Sequence, residues 1–267
     1  MKLSLGISPC PNDTYIFDAW VNGKIDTQGL EIDLVLADVE QLNEWAMEGK
    51  LDVTKFSYGA WPLLHQQYQL LNSGSALGKG VGPLLVGASP LPAAGPLVTL
   101  LQQNLPVALP GQHTTAHYLF QQAFPSVQHK SFLSFDGIEN AVVAGDAIAG
   151  VIIHESRFTY AEKGLHRWAD LGAFWEEKTN LPLPLGGIAA HKRLSNNLVA
   201  TIDALVAASL RYAHQQGETL SDFVKDHAQE MSEQVMRQHI GLYVNDFSLG
   251  LGTDGKKAIA TLTGIPT

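Results

Sequence analysis

The sequence has little of what disulfides, metal centres and nucleic-acid interfaces require. Only one of its 267 residues, Cys10, is a cysteine, which excludes an intrachain disulfide and a metal site built from several cysteines. Lysine and arginine together number 17 against 26 acidic residues, the net charge is −9, and there is no basic run. This charge balance argues against nucleic acid or an anionic membrane surface as a partner. A small anion is still compatible with it, because helix N-termini and single lysines bind anions locally.

Long apolar runs and several common catalytic motifs are also missing. No stretch of about 18 apolar residues without charges occurs, so we predict no membrane span. The start of the chain, 1–7, is too short for the apolar region of a signal peptide, and we expect a cytoplasmic protein. The sequence lacks a glycine-rich phosphate loop, a His-Glu-x-x-His pair and a Gly-x-Ser-x-Gly elbow. Its histidines lack the spacing of metal ligands, and we predict no metal site.

The patterns that are present indicate an α/β protein. Apolar or alternating runs predict strands at 2–7, 30–36, 51–56, 106–109 and 147–153. Helical spacing and glycine stops predict helices at 39–49, 117–124, 137–145 and over most of 195–240. A further helix follows the first strand, with Asn12 or Asp13 as its predicted cap, and another is predicted to open at Ser57.

A chain of this length usually forms more than one compact core. Segments rich in proline and glycine at 80–87 and 181–187 are suited to connecting two lobes. We therefore predict a discontinuous lobe A at 1–86 and 186–267, and a lobe B at 87–185. Two crossings between lobes would give a hinged clamshell with the active site in the cleft.

Polar residues follow the predicted strands at four places. These clusters are 8–13, 55–57, 110–115 and 154–156. In open α/β sheets, ligands bind beyond the carboxyl ends of strands, where helix N-termini offer free N–H groups. Four such clusters on one chain therefore indicate a single small-molecule site.

The two clusters of the predicted lobe B each have two interpretations. Thr114 and Thr115 would lie in the first turn of a helix, where they can hold a carboxylate or simply cap the helix. His154 follows a very apolar strand. There an imidazole can act as a general base, or it can be a structural residue with its hydrogen bonds satisfied.

The two clusters of the predicted lobe A also have two interpretations each. Lys55 can neutralise a substrate carboxylate, Phe56 can pack on a ring and Ser57 can donate a hydrogen bond. Alternatively, Lys55 is solvated and Ser57 caps a helix. Cys10 stands between two prolines, which fix the backbone and favour a binding or shape role. Asn12 and Asp13 can each be a ligand to substrate hydroxyls or the helix cap.

Several motifs resemble the 1,4-dihydroxy-6-naphthoate synthases, enzymes of menaquinone biosynthesis. In chain order they are SPCPNDTYIFDAW, DVTKFSYGAW, PGxxTTA, GVIIHExRFTY, LPLPLGGIA, HIxLYVNDFS and LGxxGxxA. They extend from Ser8 to about Ala258, which is nearly the whole chain. The first and fourth motifs are specific, whereas PGxxTTA would also fit many solute-binding domains.

The resemblance implies a fold of the type II periplasmic-binding-protein class, used here for catalysis. It implies that cyclic dehypoxanthine futalosine is cleaved to 1,4-dihydroxy-6-naphthoate and a three-carbon fragment, expected to be dihydroxyacetone. His154 would be the base, and Lys55, Phe56, Ser57, Thr114 and Thr115 would bind the substrate, with Cys10 and Asn12 beside them. It implies no metal or organic cofactor.

Three other functions fit parts of the pattern. A solute-binding module of the same fold would need the threonines and Ser57 but not His154. The related chorismate dehydratase is disfavoured by the SPCPND opening. The effector domain of a transcriptional regulator is disfavoured because no DNA-binding segment or basic surface is present. The sequence does not indicate an oligomeric state.

Overall fold

A computed structural model describes residues 1–93, 95–217, 219–228 and 232–267, apart from the side chains of residues 135 and 136. The chain forms two compact units. Unit 1 comprises Met1–Gly78 and Pro184–Thr267, and unit 2 comprises Lys79–Leu183. The chain therefore passes between the units twice. In the described part of the chain, no helix has both the length and the apolar character needed to cross a membrane.

The first stretch of unit 1 alternates strands and helices. Its elements are β1 (Lys2–Ile7), α1 (Pro11–Val21), β2 (Glu31–Leu36), α2 (Val39–Met47), β3 (Val53–Ser57), α3 (Trp61–Leu64), β4 (Tyr68–Leu70) and β5 (Ala76–Gly78). Unit 2 continues the alternation. Its elements are β6 (Leu84–Gly87), α4 (Leu97–Leu101), β7 (Val107–Leu109), α5 (Thr115–Ala123), β8 (Lys130–Phe132), α6 (Phe135–Ala144), β9 (Ala149–Ile152), α7 (Ser156–Thr159), β10 (His166–Asp170) and α8 (Leu171–Thr179).

The chain returns to unit 1 with one long strand and a series of helices. These elements are β11 (Leu183–His191), α9 (Asn196–Gln215), α10 (Asp222–His227), α11 (Glu233–Tyr243), α12 (Asp246–Leu249) and α13 (Gly252–Thr263). Most of the region 195–240 is thus helical as predicted, and its residues 218 and 229–231 lie outside the described residues.

Each unit is built on its own mixed sheet. In unit 1 the strand order is β2-β1-β3-β11-β4, with β5 also paired to β11. There β1 runs parallel to β2 and β3, and β11 runs antiparallel to β3 and β4. In unit 2 the order is β10-β6-β9-β7-β8. There β7 runs parallel to β8 and β9, and β6 runs antiparallel to β9 and β10.

The core of unit 1 joins its two chain stretches. Helices α1 and α9 pack together, and the backbone N–H of Trp20 donates to Ser209 Oγ at 3.1 Å. Leu3, Leu5 and Ile7 of β1 are fully buried in the same cluster as Ile202 of α9. Unit 2 has a separate apolar cluster that contains Val86, Ala108 and Ile138. Each unit thus contains an apolar cluster of its own.

Two sequence-based expectations differ from the structure for identifiable reasons. The predicted lobe boundary at residue 86 falls inside β6, which pairs with β9 and β10 in the sheet of unit 2. The prediction that Asn12 or Asp13 caps the first helix is wrong. Helix α1 begins at Pro11 with Cys10 as its N-cap, because proline suits the first helical position.

Candidate functional site

In unit 1, the carboxyl ends of β1 and β3 lie at the same edge of the sheet because the two strands are parallel and adjacent. The loop after β1 leads into the first turn of α1, where Asp13 is fully buried. Lys55, near the end of β3, is also buried, and its Nζ lies 2.5 Å from Asp13 Oδ1. The structure therefore joins the clusters 8–13 and 55–57 through a buried ion pair.

Asp13 collects hydrogen bonds from the surrounding loop as well. Its Oδ2 accepts from the Ser8 backbone N–H at 3.2 Å and from Ser8 Oγ at 2.7 Å. Its Oδ1 accepts from Asn12 Nδ2 at 2.9 Å, in addition to the bond from Lys55. The positive charge of Lys55 is thus compensated within the protein, and the predicted contact of Lys55 with a substrate carboxylate would have to share the ammonium with Asp13.

Alternation along β3 puts Lys55 and Ser57 on one face of the strand and Phe56 on the other. The Ser57 N–H donates to Asn43 Oδ1 at 2.8 Å, and Asn43 Nδ2 donates to Ser57 Oγ at 3.3 Å. The prediction that a helix opens at Ser57 is confirmed, because Ser57 is the N-cap residue of a 3-10 helix, Tyr58–Ala60, that leads directly into α3. The Ser57 side chain makes no capping hydrogen bond there, and its hydroxyl accepts from Asn43 instead.

Phe56 is fully buried in an aromatic cluster of unit 1. Its ring lies 5.3 Å from that of Tyr58 in an edge-on arrangement and 5.0 Å from that of Trp61 in a stacked arrangement. These contacts make Phe56 a core residue on the face of β3 opposite to Lys55 and Ser57.

Cys10 and Asn12 are buried at the start of α1. The Cys10 carbonyl accepts the first helical hydrogen bonds, from the N–H groups of Asp13 and Thr14, both at 3.1 Å. Pro11 then fixes the first helical residue. The Pro-Cys-Pro sequence therefore sets the point at which α1 begins, and this aims Asp13 at Lys55.

In unit 2, β7 and β9 are parallel neighbours, so the residues that follow them share one edge of the sheet. Thr114 is the N-cap of α5, and its hydroxyl accepts from the His117 N–H at 3.2 Å and donates to the Gly111 carbonyl at 3.0 Å. Thr115 begins α5 and is equally buried. Thr114 thus caps α5, and the contact of the two threonines with a carboxylate stays a prediction.

His154 follows β9 by two positions and is partly buried. Its backbone has φ 56°, which is the left-handed region. That conformation is uncommon for residues other than glycine, although histidine adopts it more readily than most. The short helix α7 starts two residues later. His154 therefore stands in a strained turn at the same sheet edge as Thr114 and Thr115.

The sequence predicts Asp13 as a ligand or a helix cap but not its pairing with Lys55. Two other residues of unit 2, Arg157 and Glu139, are not predicted from the sequence. Arg157 bonds to the backbone carbonyls of Gly80 and Gly82, and Glu139 accepts from Ser156 Oγ at 2.9 Å. For these two residues the sequence signal is limited to Arg157, which falls inside the motif GVIIHExRFTY.

The amino-acid sequence is similar to those of known enzymes over nearly its whole length. A family model described as menaquinone biosynthesis matches residues 3–265. The chain is 47% identical over 263 residues to the 1,4-dihydroxy-6-naphthoate synthase of Thermus thermophilus, and 40% identical over 265 residues to that of Streptomyces coelicolor. Each alignment covers 97% of this chain, and they cover 92% and 91% of those two proteins.

Solved structures give the same kind of fold. Protein AF1704 from Archaeoglobus fulgidus has a TM-score of 0.88 at 29% identity, covering 98% of this chain and 96% of that one. The CA3427 gene product of Candida albicans, which has the generic periplasmic-binding-protein fold, has a TM-score of 0.66 at 10% identity, covering 100% of this chain and 92% of that one. The second likeness concerns the fold alone. These structural similarities confirm the predicted α/β fold of the periplasmic-binding-protein type.

Proposed function

Because the chain belongs to the menaquinone biosynthesis family, with 1,4-dihydroxy-6-naphthoate synthases as its relatives, we propose that its substrate is cyclic dehypoxanthine futalosine. The products would be 1,4-dihydroxy-6-naphthoate and a three-carbon fragment, which we propose is dihydroxyacetone. The observation that carries the proposal is the histidine at the carboxyl end of β9, fixed in an unusual backbone conformation.

His154 is proposed as the general base. Cleaving a carbon–carbon bond beside a carbonyl-type carbon requires removal of a proton, and formation of the aromatic naphthoate ring drives the reaction. An imidazole has an ordinary pKa of about 6.5, so it accepts a proton effectively near neutral pH. An ordinary aspartate or glutamate is a weaker base there.

The other candidate residues are proposed to bind the substrate. In unit 2, the first-turn N–H groups of α5 and the Thr115 hydroxyl suit a carboxylate, and the Thr114 hydroxyl keeps that turn in place. In unit 1, Ser57 and Asn12 offer hydrogen-bonding groups beside the compensated Lys55–Asp13 pair. Cys10 contributes shape by fixing the start of α1.

Replacing the base without disturbing its backbone tests the proposal. His154→Asn is the suitable change, because asparagine also tolerates the left-handed region. We expect unchanged substrate affinity and a loss of turnover of about a hundredfold or more. His166→Asn, an exposed histidine of unit 2, is the matched control and should keep full turnover. Naphthoate absorbance measures turnover, and calorimetric titration with the substrate measures affinity.

Two results would contradict the proposal. Wild-type protein that forms no naphthoate at any pH between about 6 and 9, the range over which an ordinary histidine becomes deprotonated, would exclude the reaction. Substrate binding without turnover would then favour a solute-binding module. Full turnover by the His154→Asn variant would exclude His154 as the base.

A further inference from the structure

The turn that carries His154 is fixed to the rest of unit 2 by the side chain of Arg157. The guanidinium donates through Nη1 to the Gly82 carbonyl and through Nη2 to the Gly80 carbonyl at 2.8 Å. Its Nη2 also lies 3.7 Å from Asp170 Oδ2, and the side chain is 16% exposed. An arginine satisfies several acceptors at once because its donors form a rigid planar fork.

A second contact holds the same turn from another helix. Ser156 Oγ donates to Glu139 Oε2 of α6 at 2.9 Å, and Lys163 Nζ donates to the same oxygen at 2.6 Å. Glu139 is 2% exposed. The two residues at the start of α7 are thus both anchored, to two different parts of unit 2: Ser156 to α6 and Arg157 to the segment before β6.

One of the two carbonyls that accept from Arg157, that of Gly82, belongs to closely packed backbone. A Cβ on Gly82 would come within 2.2 Å of Gly172 Cα, so the two glycines pack backbone against backbone. Asp170, which faces Arg157, also caps α8 by accepting from Gly172 N at 2.9 Å and Ala173 N at 3.0 Å. Arg157 is therefore bound, through Gly82 and Asp170, to the closely packed start of α8.

We propose that Arg157 is a positioning residue for His154. A non-glycine residue keeps a left-handed backbone only where its surroundings enforce that conformation. The fork of Arg157 supplies the enforcement three residues after His154 and thereby fixes where the imidazole stands. The inference rests on the proposed function, since it concerns the placement of the proposed base. It assigns Arg157 no contact with the substrate.

Steady-state kinetics of three variants test this role. Arg157→Gln removes the charge and the fork, and Arg157→Lys keeps the charge but not the fork. Arg167→Gln, which changes an exposed arginine of β10, is the matched control.

We expect Arg157→Gln to lower kcat by about tenfold to a hundredfold, because a small displacement of a catalytic group lowers the reaction rate strongly. KM should stay within about twofold, because ground-state binding is untouched. Arg157→Lys should fall between the wild type and Arg157→Gln.

The outcomes separate this inference from the proposed function. If the wild type forms no naphthoate, the proposed function fails. If the wild type is active but both Arg157 variants match Arg167→Gln in kcat, only the inference fails. A raised KM at unchanged kcat also overturns it, since that indicates substrate contact. Should Arg157→Gln not fold, as judged by circular dichroism, Arg157→Lys decides: a kcat equal to that of the control overturns the inference and a reduced kcat supports it.

Discussion

Asp13 is the residue that holds the polar cluster of unit 1 together. Its carboxylate is fully buried and accepts from Lys55, Asn12 and both donors of Ser8. Removing the charge from one member of such a pair leaves the other buried and uncompensated. We predict that Asp13→Asn lowers the free energy of unfolding by about 3–5 kcal/mol, measured by urea denaturation.

An exposed pair of the same unit provides the comparison. Lys2 and Asp33 lie 3.1 Å apart with both side chains more than half exposed, and such pairs contribute little to stability. Asp33→Asn should therefore cost much less than Asp13→Asn. The double variant Asp13→Asn, Lys55→Met removes both buried charges and should recover part of the loss. Equal midpoints for Asp13→Asn and Asp33→Asn would show that the buried pair is not a major source of stability.

Individual residues were predictable from the sequence only where their partners are close along the chain. The capping role of Thr114 follows from its position before a helix, and its partner His117 is three residues away. The partner of Lys55 is 42 residues away, and no local pattern indicates such a pair. The sequence therefore identified Lys55 as a candidate but could not predict that Asp13 compensates it.

Secondary-structure elements with a strong pattern of their own were well predicted. The strand predicted at 2–7 is β1, and the helix predicted from residue 39 is α2, followed by Gly49 with φ 68°. The short strand β6 was interpreted as part of a connector because glycine and proline surround it. It is a strand because β9 and β10 pair with it on either side. Such strands form because they pair with strands that are distant in the sequence, and the propensities of their own residues do not predict this pairing.

The contact between the segment before β6 and helix α8 depends on two glycines. A Cβ on Gly82 would lie 2.3 Å from Gly172 N and 2.2 Å from Gly172 Cα, too close for any real contact. We predict that Gly82→Ala destabilises unit 2 by about 1–3 kcal/mol, as overpacking does. Gly137→Ala in α6, where the nearest atom is 3.4 Å away, should be neutral or stabilising, because alanine favours helix. Thermal unfolding followed by circular dichroism compares the two. A Gly82→Ala melting temperature at or above that of Gly137→Ala would contradict the close packing.

At the scale of the whole molecule, unit 1 must be assembled from two stretches of chain separated by unit 2. Asp52 is one of the residues that join them. Its Oδ2 accepts from Ser4 N at 2.9 Å and Ser4 Oγ at 3.0 Å in the first stretch. Its Oδ1 accepts from Arg193 Nε at 2.9 Å in the second stretch. Arg193 also donates to the Gly49 carbonyl at 2.7 Å, so the junction connects β1 to the segment that follows β11.

This junction should make the stability of unit 1 sensitive to acid. Burial raises the pKa of Asp52, but the hydrogen bonds from Ser4 and the charge of Arg193 outweigh it and lower the pKa below the ordinary value of 3.8. A carboxyl whose pKa is lower in the folded state stabilises the fold above its unfolded pKa and loses that contribution as the pH falls through the folded pKa.

Asp52→Asn should therefore lower the free energy of unfolding by about 1 kcal/mol or less near pH 7, since Asp52 is partly exposed. The difference from wild type should shrink below about pH 4. Urea midpoints measured from pH 7 down to pH 3 test this, with Glu48→Gln as the control because Glu48 pairs with Lys50 within a single stretch. A difference between wild type and Asp52→Asn that stays constant over this range would show that the ionised carboxylate does not join the two stretches.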